Sequence, residues 1–294
     1  MPIPRFDYFA PRTVDEAVNL LAQAGPDGRV MAGGTDLLVK IRFRVIHPAA
    51  IVGLKKIEGL ERISFSRNKG LTIGATALLA DVAASSPVRR YYPGVAQAAD
   101  QTANVQVRNM GTVVGNLCNA SPSADNAPTL LALGARVRIT GPGGQRSMSL
   151  EDFFRGPGMT ALEPGEIVTA VTVPLPPPRS ATAYLSLSAR AKLDCSAVGV
   201  GVMLALDDRD RCKDLRIFVG ACAPIPVRAG GAEQVLIGEK LTDSTVEQAA
   251  LEAAKATQPI DDVRASADYR YKMATVLTIR AIMDARKRAL RKKN

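Results

Sequence analysis

The stretch Arg29-Val-Met-Ala-Gly-Gly-Thr-Asp-Leu37 decides the fold of the first part of the chain. Val30 to Ala32 form a short apolar strand, two adjacent glycines end it, and Leu37-Leu38 open a helix. Backbone N–H groups at such a turn have no Cβ in the way, and the helix N-terminus adds a partial positive charge. The stretch is therefore typical of an anion-binding loop, with Thr35 as a hydroxyl donor and Arg29 as a charge on the approach. Taken alone, adjacent glycines more often mark an ordinary tight turn.

The elements around this loop alternate between helix and strand. Thr13-Val-Asp-Glu16 is a capping box that predicts a helix start, and residues 51–54 read as the strand that completes a β-α-β unit. A second α/β segment follows. Its predicted strands cover residues 71–75, 135–140 and 166–173, and its predicted helices cover residues 77–84, 92–102 and 125–133.

Pro174-Leu-Pro-Pro-Pro178 is the clearest boundary in the chain, because such a stretch enters neither a helix nor a central strand. Beyond it we predict antiparallel strands at 184–189, 197–206 and 215–221. Helices follow at 232–236, after a capping box at Ser244-Thr-Val-Glu247, and at 268–288.

The predicted fold class is α+β, and the 294 residues fit two domains at about 100–200 residues each. A two-part α/β domain covers residues 1–175, with subdomains at about 1–55 and 56–175. An α+β domain with a small antiparallel sheet and helices covers residues 180–290.

A second glycine-rich segment, Gly111-Thr-Val-Val-Gly-Asn116, is followed by Asn119 and Asp125. Two such loops in one α/β half suit a ligand with two phosphates, although two structural turns remain an alternative. The sequence has no G-x-x-x-x-G-K-[ST] loop and no G-x-G-x-x-G opening a β-α-β unit. A dinucleotide site must therefore belong to a different fold.

The composition excludes several classes of protein. Hydrophobic residues make up 47% and charged residues 22%, which is the balance of a globular chain. The longest apolar run, Cys195 to Leu206, is far shorter than the roughly 20 residues of a spanning helix. No apolar stretch behind the N-terminus fits a signal peptide. We expect a cytoplasmic protein without a membrane span.

The net charge of +10 is concentrated at the C-terminus, where Arg280 to Asn294 carry seven Lys/Arg and one acidic residue. This tail is either a solvated, fraying helix end or a segment that docks on an acidic partner. Nucleic-acid binding is not expected, because Trp is absent and Phe and Tyr total only thirteen.

Cysteine and histidine offer little for catalysis. The four cysteines include no C-x-x-C pair and no zinc spacing, and we expect them to be reduced thiols. The single histidine, His47, is followed by Pro48 and is expected to be a structural or surface residue. No catalytic residue and no metal site is therefore predicted, and the chemistry is expected to belong to a bound cofactor.

Three motifs together resemble one known family. Ala32-Gly-Gly-Thr-Asp-Leu-Leu38, Gln106-Val-Arg-Asn-Met-Gly-Thr-Val-Val-Gly-Asn116 and Ala120-Ser-Pro-Ser-Ala-Asp125 resemble the FAD-binding medium subunit of the xanthine dehydrogenase, or molybdenum hydroxylase, family. The family includes the medium subunits of carbon monoxide dehydrogenase, nicotinate dehydrogenase and 4-hydroxybenzoyl-CoA reductase. The resemblance runs from Phe6 to about Gly220 at matching spacing, and it implies a PCMH-type FAD-binding domain.

The resemblance also implies which residues bind FAD. The first loop would cradle the pyrophosphate, the second motif would lie at the cofactor, and Asp125 would contact the ribose or phosphate region. Thr102 would line the flavin side, Val168 would lie under the adenine or flavin, and Lys192 would lie near the isoalloxazine. The full set is Arg29, Val30, Met31, Ala32, Gly33, Gly34, Thr35, Asp36, Thr102, Gly111, Thr112, Gly115, Asn116, Asn119, Asp125, Val168 and Lys192.

Two departures from the family pattern stand out. Val114 replaces the first glycine of the usual Gly-Gly-Asn, which a negative φ would tolerate with a change in local packing. 4-Hydroxybenzoyl-CoA reductase carries an extra four-iron cluster on cysteines after the second motif, but no cysteine lies between Asp125 and Asp194 here. No iron–sulfur cluster is therefore expected on this chain.

The function that the resemblance implies is electron transfer. The chain would pass electrons from two-iron clusters on a small subunit, through FAD, to an acceptor such as NAD or a quinone. A large subunit would carry the molybdenum cofactor, and the assembly would be a dimer of heterotrimers. Two alternatives remain open, a self-sufficient flavin oxidase and a non-redox protein that binds nucleotides or nucleic acid.

Overall fold

A computed structural model describes residues 4–190 and 194–291. The strands are β1 (Asp7–Phe9), β2 (Gly28–Met31), β3 (Ala50–Gly53), β4 (Ile63–Ser66), β5 (Gly70–Gly74), β6 (Arg136–Gly141), β7 (Gly144–Ser149), β8 (Phe154–Gly156), β9 (Met159–Thr160), β10 (Ile167–Val173), β11 (Ser180–Leu187), β12 (Val198–Leu206), β13 (Cys212–Gly220) and β14 (Val227–Arg228). The α-helices are α1 (Val14–Ala24), α2 (Leu37–Arg42), α3 (Leu79–Ala84), α4 (Ser86–Tyr91), α5 (Pro93–Gln101), α6 (Val105–Arg108), α7 (Val113–Cys118), α8 (Asn126–Ala132), α9 (Leu150–Phe153), α10 (Gly230–Leu236), α11 (Asp243–Lys255) and α12 (Ala267–Arg291).

The first sheet has the strand order β1-β3-β2 and is parallel. It confirms the predicted β-α-β unit, in which α2 connects β2 to β3. Helix α1 begins at the predicted cap, where the Thr13 side chain accepts a hydrogen bond from the Glu16 backbone N–H at 3.1 Å. The Glu16 carboxylate accepts from the N–H of Arg12 and not from that of Thr13, so only half of the predicted box forms.

The second sheet is antiparallel throughout, with the order β4-β5-β10-β6-β7. Strand β10 lies in its centre and is buried except at Thr169 and Thr172. A register irregularity between Val168 and Ala170 interrupts the pairing of β10 with β6. The helices predicted for this part of the chain therefore accompany an antiparallel sheet, not a parallel one.

The third sheet, β11-β12-β13-β14, is antiparallel, as the sequence predicted for the C-terminal part. All nine residues of β12 are buried, because α8 covers one part of the strand and α12 another. Gly201 lets the strand approach α8 closely, since a Cβ there would lie 2.4 Å from the Pro128 carbonyl carbon.

Two apolar cores fill the molecule. One contains residues from α1 to β10 together with Met203 and Phe218 of the third sheet, and the other lies between that sheet and helices α10 to α12. The third sheet therefore contributes side chains to both cores.

The structure of α12 bears on the first alternative for the basic tail, a solvated and fraying helix end. It continues to Arg291, and Ala281, Ala285 and Ala289 on one face are fully buried. The Arg288 guanidinium donates to Gln97 Oε1 at 2.9 Å and to the Thr182 carbonyl at 3.1 Å. A fraying end is therefore wrong for residues up to 291, because this helix packs against the third sheet and Arg288 bonds Gln97 of α5, although Lys287 and Arg291 are exposed.

Several other boundaries differ from the prediction. The N-cap of α11 is Thr242, two residues before the predicted cap at Ser244, so the helix begins at Asp243. The predicted strand 184–189 ends at Leu187, and the strand predicted from residue 215 starts at Cys212. Within residues 4–190 and 194–291, no helix is long and apolar enough to cross a membrane.

Candidate functional site

A cavity of about 640 Å³ lies where the two glycine-rich loops meet. Its volume falls within the roughly 300–1,000 Å³ that is usual for small-molecule and cofactor sites. The loop after β2 forms one wall and the segment from Gly111 to Asn119 forms another. The start of β10, the turn after α5, and Asp194 with Cys195 are further parts of the lining.

The cavity brings together the FAD-contact residues that the resemblance implied and that the structure describes. They are Arg29, Val30, Met31, Ala32, Gly33, Gly34, Thr35, Asp36, Thr102, Gly111, Thr112, Gly115, Asn116, Asn119, Asp125 and Val168. Lys192 lies outside the described residues. Their contact with FAD stays a prediction, but their convergence on one cavity is a property of the fold.

Gly33 joins the two loops. A Cβ on this residue would lie 2.3 Å from the Met110 carbonyl oxygen and 2.7 Å from the Cα of Gly111. Real Cβ atoms do not approach backbone atoms this closely, so any other residue would push the loops apart. The glycine that the sequence assigned to phosphate approach is thus also required for contact between the two cavity walls.

Gly34 and Arg29 differ in what they offer a ligand. Gly34 has φ +77°, a left-handed conformation that glycine adopts without cost. The Arg29 guanidinium donates from Nη1 to the carbonyls of Pro26 and Gly28, at 2.6 and 2.7 Å. Arg29 therefore lines the cavity but holds the turn before β2, whereas the sequence suggested a charge on the approach.

The second loop is held by its own cap. Thr112 Oγ1 accepts from the backbone N–H of Gly115 at 2.9 Å and so begins α7. The Gly111 carbonyl accepts from the N–H of Leu79 at 3.0 Å. Val114 lies inside α7 and is 3% exposed, and its φ is not positive. The residue that departs from the family pattern is therefore accommodated as a packed side chain that also lines the cavity.

Asn126, which sequence reasoning missed, fixes two of the predicted site residues. Its Nδ2 donates to Asn116 Oδ1 and to Thr102 Oγ1, each at 3.1 Å. Its backbone N–H also points at Asn116 Oδ1, at 3.4 Å. Because Asn116 Oδ1 is engaged in this way, the Asn116 Nδ2 group is left as the donor to a ligand. The Thr102 hydroxyl is used within the protein, since it donates to the Ala98 carbonyl at 2.7 Å.

Asn119 connects the second loop to α2. Its Oδ1 accepts from Lys40 Nζ at 2.7 Å, and its Nδ2 donates to Asp36 Oδ1 at 3.1 Å. Lys40 lines the cavity and was not predicted. Its spacing of four residues from Asp36 on a predicted helix start was the signal that could have found it.

Asp125 is bonded from the third sheet. Its Oδ1 accepts from the hydroxyls of Tyr184 and Ser196, at 2.7 and 2.6 Å. Burial raises the pKa of Asp125, and the two hydroxyl donors oppose that shift. Burial, and then the neighbouring carboxylate, raise the pKa of Tyr184 well above its ordinary value, so this hydroxyl is protonated and serves as a donor.

The remaining lining is largely apolar, and the Cys118 thiol in it is unreactive. Burial raises the pKa of the Cys118 thiol to about 12, which keeps it neutral. Ala103 has φ +50°, and the Arg108 guanidinium holds this turn by donating to the Ala103 carbonyl at 2.6 Å. Within residues 4–190 and 194–291, no group of three or more His, Cys, Asp or Glu is placed to hold a metal ion. The lining is that of a binding cavity for a ligand with polar and apolar parts.

Comparison with known proteins identifies the ligand class. The family described as the FAD-binding domain in molybdopterin dehydrogenase matches residues 4–176. The family described as the CO dehydrogenase flavoprotein C-terminal domain matches residues 183–285. The chain belongs to the FAD-binding medium subunits of the molybdenum hydroxylase family. This membership confirms the resemblance inferred from the three motifs, and the α+β fold class with it.

Curated relatives of this medium-subunit family match over nearly the whole chain. The carbon monoxide dehydrogenase medium chain of Hydrogenophaga pseudoflava is 33% identical over 95% of this chain and 96% of its own length. The xanthine dehydrogenase FAD-binding subunit of Escherichia coli O157:H7 is 30% identical, with 95% of each chain covered.

Solved structures agree. A chain of reconstituted CO dehydrogenase from Oligotropha carboxidovorans has a TM-score of 0.93 at 33% identity, with 98% of this chain and 100% of that chain covered. A chain of quinoline 2-oxidoreductase from Pseudomonas putida 86 has a TM-score of 0.91 at 32% identity, with 98% and 99% covered. The relatives are subunits of oxidoreductases, and this medium subunit is assigned to that class.

Proposed function

We propose that this medium subunit carries one non-covalent FAD and passes electrons from the iron–sulfur clusters of a partner subunit to an external acceptor. The observation that carries the proposal is the contact between Gly33 and the Met110–Gly111 backbone, which brings two loops of small residues together at one cavity. FAD supplies the redox chemistry when it is bound. The residues of this chain bind it, orient it and limit its exposure to water.

The lining fits FAD in its chemistry. The backbone of the first loop, with Gly34 in a left-handed conformation, suits a pyrophosphate that must come close to the main chain. Asn116 Nδ2 and the Asp125 carboxylate offer one donor and one acceptor for ring or sugar groups. Val168 and Leu79 are buried apolar residues in the same lining and suit an aromatic ring.

The partners follow from the family. Relatives are named as medium chains or as subunits of a complex, which supports a large and a small partner for this chain as well. We place the molybdenum cofactor on the large subunit and two-iron clusters on the small one, in a dimer of heterotrimers. The acceptor is assigned to the class of NAD or a quinone, and the location to the cytoplasm. No iron–sulfur cluster is assigned to this chain.

The test begins with the purified chain. Its absorption spectrum should show a flavin, and heating or acid should release that flavin as intact FAD, because no bond holds it. The complex with its partner subunits should then reduce an acceptor only when FAD is present. A flavin-free chain that does not take up added FAD, or substrate turnover by this chain alone without molybdenum, would contradict the proposal.

A further inference from the structure

Asp125 lines the proposed FAD cavity, yet the groups that fix its carboxylate come from the third sheet. Tyr184 lies on β11, and Ser196 precedes β12. Both hydroxyls donate to the same oxygen, Oδ1, at 2.7 and 2.6 Å. No donor among residues 4–190 and 194–291 reaches Oδ2, so Oδ2 is the oxygen left for a ligand.

The third sheet is shaped to place these hydroxyls. Tyr184 and Ser196 are 1% and 4% exposed, so neither hydroxyl exchanges its partner for bulk water. Gly199 provides the space for the tyrosine hydroxyl, because a Cβ on Gly199 would lie 2.6 Å from the Tyr184 oxygen. The Tyr184 side chain is therefore confined between β12 and the Asp125 carboxylate, to which its hydroxyl donates.

The two hydroxyl donors change the balance between the ionised and protonated forms of the buried Asp125 carboxyl group. Burial disfavours its ionised form, and hydrogen bonds to that form favour it. The hydroxyls of Tyr184 and Ser196 act in the second sense on Asp125. A carboxyl oxygen that is held in one position can accept from the hydroxyl groups that FAD carries on its sugar and ribityl parts.

We infer that Tyr184 and Ser196 are positioning residues that aim Asp125 Oδ2 at the cofactor, so that the third sheet completes the FAD site. This inference rests on the proposed function. It assigns a role in cofactor affinity to two residues that do not line the cavity. It also makes FAD binding depend on the packing of β11 and β12 against α8.

The experiment measures the FAD dissociation constant of the full-length apoprotein by flavin fluorescence. Tyr184→Phe removes one donor and keeps the ring, and Ser196→Ala removes the other. Each should weaken FAD binding by about 10-fold, in line with the loss of one hydrogen bond that holds the carboxyl group in place. Tyr92→Phe is the matched control, because Tyr92 is a fully buried tyrosine that does not line the cavity and whose hydroxyl donates to the Val173 carbonyl at 3.5 Å.

Two further variants separate positioning from general destabilisation. In an Asp125→Ala background, Tyr184→Phe should change FAD affinity by less than about twofold, since the group it positions is gone. Gly199→Ala, which touches neither the carboxylate nor the cavity, should reproduce the loss of affinity by displacing the hydroxyl. Thermal unfolding of each apoprotein shows whether a loss of affinity merely follows a loss of fold.

The outcomes distinguish this inference from the function beneath it. If the wild-type chain does not bind FAD, the proposed function fails and the inference fails with it. If the wild type binds FAD and Tyr184→Phe binds it as tightly as Tyr92→Phe does, only the inference is overturned. An undiminished effect of Tyr184→Phe in the Asp125→Ala background overturns it as well.

Discussion

At Gly33, the absence of one Cβ allows two loops to touch that are almost 80 residues apart in sequence. The sequence indicated that the glycine mattered, because adjacent glycines follow a strand and precede a helix. It could not show that the constraint is the Met110 carbonyl oxygen, because that contact depends on how the second loop folds back.

We predict that Gly33→Ala lowers FAD affinity at least about 10-fold and destabilises the apoprotein by about 1–3 kcal/mol, as overpacking against backbone does. Calorimetry and flavin titration measure both quantities. Gly143→Ala is the matched control, because a Cβ there would meet nothing within 4 Å. Unchanged affinity in Gly33→Ala would show that the loop contact is not needed for the site.

A prediction for the thiols follows from their pKa values and exposure. Cys118, Cys212 and Cys222 have pKa values raised by burial to about 12, 12 and 11, so their thiolate fraction at about pH 8 is negligible. Cys195 is exposed at the rim of the cavity. Mass spectrometry after brief alkylation should find Cys195 modified first, and added FAD should slow its modification.

Rapid modification of Cys118 in the folded protein would contradict this prediction. The same experiment at higher pH tests the direction in which the alkylation rate of Cys118 changes with pH. Alkylation of Cys118 should increase only as the pH approaches its raised pKa, since deprotonation generates the nucleophile. Denatured protein, in which all four thiols react, is the positive control.

At the level of elements, the sequence pattern placed the N-cap of α11 two residues too late, at Ser244 instead of Thr242. Ser244 and Glu247 match the S-x-x-E form of a capping box, but the helix uses Thr242 as its cap with Thr245 at the third position. Leu241 and Val246, both buried, flank this cap at the spacing of a hydrophobic staple. A cap at Ser244 would put charged and polar side chains at the two staple positions, so burial of the apolar pair decides the start.

We predict that Thr242→Ala lowers the free energy of unfolding by about 0.5–2 kcal/mol, because it removes the acceptor for the Thr245 backbone N–H. Ser244→Ala should change it by less than about 0.5 kcal/mol, as for an exposed surface position. Urea titrations of the two variants compare them directly. Equal effects would mean that the helix start lies where the sequence pattern first placed it.

The short helices α6 and α7 were not predicted, and the reason is physical. Gly115, inside α7, disfavours a helix by intrinsic propensity. The Thr112 cap and the burial of Val113, Val114 and Leu117 outweigh that cost in the folded chain. Periodicity over six residues is too short to reveal this. The regular β2-α2-β3 unit and the strands of the third sheet, which carry longer patterns, could be predicted.

At the scale of the whole molecule, the sequence located the cavity but not the links across it. The family resemblance implied sixteen residues that line this one cavity, because the motifs that carry the resemblance are local in sequence. The bonds from Tyr184 and Ser196 to Asp125 join residues 59 and 71 positions apart, and only the packing of the third sheet brings them together. The division of the chain into domains at residues 174–178 remains a prediction, and limited proteolysis at that segment would test it.

The role of each basic residue in the tail depends on whether it packs against the rest of the molecule. Arg288 is engaged with α5 and β11, whereas Lys287 and Arg291 are exposed on α12. Truncation of the tail would therefore remove packing together with charge. We predict that Lys287→Glu with Arg291→Glu slows assembly with an acidic partner subunit, most strongly at low ionic strength where screening is least.

Surface-plasmon measurements of subunit association at two salt concentrations would show this effect. Arg288→Ala is the contrasting variant, which should lower thermal stability by breaking the bonds to Gln97 and Thr182 at any salt concentration. If the double charge reversal leaves the association rate unchanged at low salt, the tail does not dock on a partner.

The close approach of Gly201 to Pro128 has a consequence for the order in which the protein is made. Helix α8 leaves the ribosome well before β12 and β13 cover it, and at about 5–20 residues per second the interval to Gly220 is roughly 5–20 seconds. During that time the apolar face of α8 is uncovered, and Asp125 has neither of its hydroxyl donors. A nascent chain therefore presents both glycine loops before it presents a finished cavity.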